Sequence, residues 1–158
     1  GLKVAIVDFD IHHGNGTEDI VKNLKPRSVQ LPLPPSWPAQ YHRTHKPWYD
    51  EHDAESVFFG SINLVHEETD FYPGSGAGGE TDDSENWPNI INVRLDPVQG
   101  VMPGDLRTRA RQTANARAQC VTKASTQFRE RVEAQLLGKL DGFAPDLLLI
   151  SAGFDGHE

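Results

Sequence analysis

Apolar residues crowd both parities of Leu2–Phe9 (LKVAIVDF). That is the pattern of a strand buried on both faces of a parallel sheet. Thr17–Leu24 (TEDIVKNL) follows with Thr17 as N-cap, acids in the first turn and a stop before Pro26, which predicts a short helix. Ser28–Leu33 predicts a short strand. Periodicity then lapses through LPLPPSWPAQYHRTHKPWYDEHD, whose five prolines and many polar residues predict a long surface excursion. Its histidines, His42, His45 and His52, lack the tight spacing of a metal set and read as loop residues. Glu55–Ile62 and Pro88–Leu95 predict two further strands, separated by a loop that is first glycine-rich and then acidic. After Pro103-Gly104 a helix is predicted from about Asp105 to Leu140, with a break among residues 108–119. Its stripe is Val121, Ala124, Phe128, Val132, Leu136 and Leu140, spaced by three or four residues. GFAPD closes it, and Leu147–Ser151 (LLLIS) predicts a last apolar strand.

Strands alternating with helices, each strand running into polar residues at its carboxyl end, predict an α/β fold with a mostly parallel sheet and helices on its faces. Ligands gather outside such carboxyl ends. A chain of 158 residues suits one domain or a piece of one. It opens in a strand without a start methionine and ends inside AGFDGHE, so it is expected to be the central fragment of a longer domain. Residues 25–55 are its long Pro-rich surface insertion.

Charge and composition narrow the partners. The formal charge is −8, from 15 basic and 23 acidic residues, and no Lys/Arg cluster interrupts the acidity. Direct nucleic-acid binding is therefore not expected. No apolar run approaches the roughly 20 residues of a membrane-spanning helix, and no membrane association is expected. The lone Cys120 has no partner for an internal disulfide, which fits a reducing compartment.

The chemistry concentrates in VAIVDFDIHHGNG. If residues 8–12 stay extended, the period of two sends Asp8, Asp10 and His12 to one side. Neighbouring carboxylates at the end of a buried strand are costly unless a cation or hydrogen-bond donors compensate. An imidazole with carboxylate oxygens suits Zn²⁺ or Fe²⁺. Taken alone, the same residues also read as a solvated turn bent by GNG. Asp155, in LLLISAGFDG, sits where another strand should stop, beside glycines that permit close backbone approach. Two acids and one histidine from two strand ends make a three-ligand site with an open position. In an extended segment His13 points away from His12, which assigns it a supporting or packing role.

VDFDIHHGNGTEDI, DFYPGSGAGG and DLLLISAGFDGHE, in that order and rough spacing, resemble the signatures of the zinc-dependent histone deacetylases within the arginase/deacetylase superfamily. The resemblance covers almost the whole chain. It implies a three-layer α/β/α fold, incomplete here, with Asp10, His12 and Asp155 as zinc ligands. It implies that Asp8 supports a potassium ion, shared with the main-chain carbonyls of Asp8, Asp10 and His12, and that Ser61 in FFGSIN is its hydroxyl ligand. Phe71 and Tyr72 would line the acyl-lysine tunnel, Tyr72 standing where many relatives carry Phe. Asn15 stands where one class of these enzymes has Asp and the second has Asn, so the motif resembles class II. The long Arg27–Asp53 excursion and SINLVHEETDFYPG resemble a fungal branch.

The implied activity is zinc-dependent hydrolysis of acetyl-lysine amides on histone tails or other proteins, in the nucleus or cytoplasm. A role in transcription repression within a corepressor complex accompanies it. The family's acid/base histidine pair precedes VAIVDFD and its tyrosine follows GHE, so no catalytic proton donor is expected in this chain and the isolated fragment is expected to be inactive. Three other readings remain open. One is a deacetylase of polyamines or other small acylated amines. Another is a haloacid-dehalogenase-type phosphatase with Asp8 as nucleophile, Asp10 as acid/base and Mg²⁺. The last is a truncated, non-catalytic interaction piece.

Overall fold

The computed structural model describes residues 1–65, 71–76, 86–98 and 114–154, leaving aside the side chains at 114 and 117. Among the described residues four parallel strands form the main sheet: β1 (Val4–Asp8), β4 (Val57–Leu64), β5 (Ile90–Leu95) and β6 (Leu147–Ser151), in the order β5-β4-β1-β6. Between β1 and β4 come helix α1 (Asn15–Lys22), strands β2 (Arg27–Gln30) and β3 (Tyr41–Thr44), and the single turn of helix α2 (Asp53–Ser56). Between β5 and β6 helix α3 (Ala114–Val132) continues through a π-helical turn (Glu133–Leu137) into α4 (Gly138–Phe143).

The apolar runs on both strand parities have the predicted cause, since each face of the sheet carries its own core. Ala5, Phe58, Ile62, Ile91 and Val93 pack on one face with Leu136 and Phe143, joined by Phe128, Val132 and Leu140. Val57 and Phe59 face the opposite way and meet Val21 and Leu24 of α1, with Ile6 and Ile90 alongside. Helix, sheet and helix make three layers, as the sequence predicts. Gly60 admits the helical layer, because a Cβ there would fall 2.6 Å from Leu136 Cδ1.

Several predicted boundaries are corrected. Strand β1 stops at Asp8, and residues 10–12 bend rather than continue extended. Helix α1 begins at Asn15 with Gly14 as its N-cap and no side-chain cap, so Thr17 lies inside the helix. The strand expected at Ser28–Leu33 is Arg27–Gln30, and the excursion is not all loop: β2 pairs antiparallel with β3 in a separate two-stranded sheet. Tyr41–Thr44 (YHRT) has no apolar alternation to announce it, and its first three residues are exposed. Of the predicted Asp105–Leu140 helix, residues 105–113 lie outside the described residues. Within the described part Val121 is 52% exposed, so the core stripe begins at Phe128. Strand β6 lies where predicted, but Leu147, Leu148, Leu149 and Ile150 are exposed along it. Among the described residues no helix is long and apolar enough to cross a membrane.

Candidate metal centre

The parallel register aligns the carboxyl ends of three strands. Asp8 is level with Ser61 of β4 on one side and with Ser151 of β6 on the other. Just beyond, Phe9 N–H donates to Ser151 O (3.1 Å) and Leu64 N–H donates to Ile11 O (2.8 Å). The segment after β1 is thus held between its two neighbours, at the end of the sheet where α/β folds bind ligands.

Within that segment the alternate acids organise the backbone. Asp8 Oδ1 accepts the N–H of Asp10 (3.1 Å), and Asp10 Oδ1 accepts the N–H of His12 (2.7 Å). Each carboxylate bonds the residue two further on, the local habit of aspartate in turns. This replaces the extended-strand reason for convergence, and the outcome is still a close pair: Asp10 Oδ1 lies 2.9 Å from His12 Nδ1. Both side chains are about one-third exposed, at 32% for Asp10 and 36% for His12. In a tetrahedral site with bonds of about 2.0–2.1 Å, neighbouring ligand atoms stand roughly 3.3 Å apart. A small opening of this pair suits an ion such as zinc, and the mixed imidazole and carboxylate donors fit its preference. Gly153, beyond β6, leaves room for the same carboxylate, which stands where its Cβ would be. Asp155 lies outside the described residues. Among the described residues no three His, Cys, Asp or Glu side chains form a metal-holding group.

The predicted potassium residues occupy the floor beneath. Asp8 is 7% exposed and Ser61 fully buried. Ser61 Oγ accepts Gly14 N–H (3.2 Å) and donates to Asn63 Oδ1 (3.4 Å). A hydroxyl accepts twice and donates once, so one acceptor position of Ser61 remains after these two contacts. Gly14 closes over Asp8, where a Cβ would stand 2.7 Å from Asp8 Oδ2.

The predicted tunnel residues lie against His12. The Phe71 ring stacks on the imidazole at 5.1 Å and 1°, and Tyr72 meets it edge-on at 6.0 Å with most of its own ring exposed. Asn15 opens α1 on the solvent side, where its backbone N–H donates to His13 O (2.8 Å).

His13 is corrected in its geometry, since the segment carrying it is not extended. It is buried between α1 and the Phe71–Gly76 turn, with Nε2 2.8 Å from Glu18 Oε2 and Nδ1 2.7 Å from Ser75 Oγ. Glu18, Ser75, Asn63, Asn92 and Gly153 complete the surroundings; the sequence reading missed the first four and marked Gly153 only as one of the glycines of a close backbone approach. Burial pushes the Glu18 carboxyl up, but hydrogen bonds from His13, Lys22 and Asn92, with the Lys22 charge, outweigh it and hold its pKa at about 2. An acid in a first helical turn ordinarily reads as solvated. The only sequence signal against that was its place one turn beyond a strand-end histidine pair.

Residues 1–158 match the family model described as the histone deacetylase domain. The chain is 26% identical over 99% of its length to type-2 histone deacetylase 2 of Dictyostelium discoideum, covering 6% of that protein. It is 26% identical over 97% of its length to histone deacetylase 15 of Arabidopsis thaliana, covering 18%. With histone deacetylase 7 of Homo sapiens the identity is 25% over 99% of the chain and 11% of the relative. The chain thus spans less than a fifth of each of these three relatives.

Proposed function

The chain belongs to the histone deacetylase domain family, and on that premise we propose that it forms the metal floor and one channel wall of a zinc-dependent lysine deacetylase. The observation that carries the reading is the Asp10 Oδ1–His12 Nδ1 pair, 2.9 Å apart at the carboxyl end of a parallel sheet. Asp10 and His12 hold the zinc, with Asp155 as third ligand. A zinc ion held by these residues would supply polarisation of the acyl carbonyl and a bound water of lowered pKa.

This chain's own residues orient and shape. Asp10 is fixed by the N–H of His12, so its carboxylate is set before the ion arrives. Phe71 and Tyr72 flank His12 and offer ring faces to the methylenes of an acylated lysine. Asp8 is buried, and among the described residues its carboxylate takes a hydrogen bond only from Asp10 N–H. A buried carboxylate so lightly compensated calls for a cation, and a potassium ion held by Asp8 and the Ser61 hydroxyl would meet that need. The same burial speaks against a phosphatase in which Asp8 is an open nucleophile. Asn15 marks a class II-like member of the family.

The proton-handling histidines and the oxyanion-stabilising tyrosine are assigned to other parts of the protein, so the isolated 158-residue chain binds zinc without turning over. The substrates are acetylated histone tails or other acetyl-lysine proteins, encountered in the nucleus, the cytoplasm or both, with a corepressor complex as the setting for transcription repression.

The test measures zinc content and acetate release from an acetyl-lysine peptide in the full-length protein and in Asp10→Asn and His12→Ala variants. Zinc near one per chain, lost in both variants together with activity, is expected. Full zinc occupancy and turnover in either variant overturns the assignment.

A further inference from the structure

His13 holds no metal in the reading above, yet its imidazole is bound at both nitrogens and 7% exposed. Ionised Glu18 can only accept, so His13 Nε2 donates to it, and Nδ1 is left to hydrogen-bond the Ser75 hydroxyl. Glu18 is itself held by Lys22 Nζ one turn along the same helix α1, at 2.6 Å, and by Asn92 Nδ2 of β5 at 2.7 Å. The imidazole is therefore fixed on its far side by the helix and the sheet, and offers a rigid hydrogen-bonding partner to the turn.

The Phe71–Gly76 turn meets that partner. Gly74 N–H closes it on Phe71 O (2.8 Å), and both Gly74 and Gly76 have positive φ, at 75° and 80°. Gly76 lies flat on His13: a Cβ there would stand 2.5 Å from His13 Cγ and 2.8 Å from Asn63 Nδ2. Asn63 Nδ2 also donates to Gly76 O (3.0 Å). At the other end of the same turn Phe71 and Tyr72 contact His12. One histidine of the pair thus meets the aromatic rings and the other meets the base of the turn that carries them.

We infer that His13 is a positioning residue, which through Ser75 and its contact with Gly76 fixes the turn that lays Phe71 and Tyr72 against His12. That these rings form a substrate wall rests on the deacetylase reading; the anchoring itself does not.

The experiment uses the full-length protein with Ser75→Ala, which removes one hydrogen bond, His13→Phe, which keeps a ring beneath Gly76 but removes both, and the double variant. Hydrogen exchange of residues 71–76 is measured without substrate, alongside zinc content, kcat and KM on an acetyl-lysine peptide. A hydrogen bond of ordinary worth corresponds to about a fivefold change in an opening equilibrium. Exchange in the turn should quicken about fivefold in Ser75→Ala and at least as much in His13→Phe, with the double variant no faster than His13→Phe. Zinc content should hold, and KM should rise about fivefold with kcat within about twofold, the split expected when ground-state binding is lost.

Unchanged exchange in Ser75→Ala, or independent additive effects of the two substitutions, overturns the anchoring. Faster exchange with an unaltered KM overturns the positioning role. If the unsubstituted protein releases no acetate while exchange follows the expected pattern, the deacetylase reading fails and the anchoring stands.

Discussion

Asp10 occupies the space that a side chain on Gly153 would need: a Cβ built there would fall 1.8 Å from Asp10 Oδ2 and 2.5 Å from its Cγ. Gly153 is not among the glycines with positive φ, so the backbone there accepts alanine and the carboxylate alone stands in the way. Gly153→Ala should push Asp10 off the line it shares with His12. Zinc affinity, read by competition with a chelating dye, should fall at least about tenfold, equivalent to roughly 1.4 kcal/mol. Unaltered affinity would show that Asp10 does not hold the metal in this position.

The importance of Gly153 was half legible. Its sequence context, AGFDG after LLLIS, announced a strand end where backbone comes close to something. What it approaches could not be read, because β6 and β1 are brought together by register over more than 140 residues, Val4 opposite Leu147. Asp10 and His12 were legible as a pair by spacing, yet the geometry comes from side chains bonding the backbone two residues on, which a period of two does not describe. Glu18 was illegible because its partners, His13 and Asn92, arrive from a loop and a distant strand.

The helical stripe gives a direct contrast. Spacing alone ranks Val121 and Leu136 as equals, but Leu136 is 1% exposed against the sheet and Val121 is 52% exposed. Leu136→Ala should cost about 2–5 kcal/mol in urea denaturation, the range for a truncated core residue. Val121→Ala should stay within about 0.5 kcal/mol. Gly60→Ala, whose Cβ would meet Leu136 Cδ1 at 2.6 Å, should cost about 1–3 kcal/mol by overpacking. Shortening Leu136 in the same chain should relieve part of that cost, so the double variant should be more stable than the two single losses predict. Strict additivity would mean that the helix shifts as a body instead.

Potassium gives a prediction that needs no substrate. A cation bound only by the folded state stabilises it by RT ln(1 + [L]/Kd), about 2.7 kcal/mol at one hundred times Kd. Tm should therefore rise when a bulky organic cation is exchanged for potassium at constant ionic strength. Ser61→Ala, which removes the hydroxyl level with Asp8, should lose most of that increment. An equal increment in the variant would sink the assignment of Ser61.

Glu18 fixes the sign of an acid-induced loss. Its carboxyl has a pKa of about 2 in the folded chain, below the ordinary 4.5, because three hydrogen-bond donors and the Lys22 charge outweigh the burial that pushes it up. Between those two values the unfolded chain binds a proton that the folded chain does not, so lowering the pH favours unfolding. The stabilisation is complete above about pH 4.5 and fades as the pH falls through 2. Discounted for the solvent reaching the Lys22 side, it is on the order of 2 kcal/mol. Other carboxylates titrate in the same window, so the informative quantity is the difference between the protein and its Glu18→Gln variant. Glutamine keeps the shape but puts an amide N–H₂ or a weaker acceptor before His13, Asn92 and Lys22. In urea denaturation the variant should be less stable at pH 7 by about that amount, and the two curves should converge between pH 4.5 and 2. A difference that persists undiminished to pH 2 would assign the loss to packing rather than to the charge of Glu18.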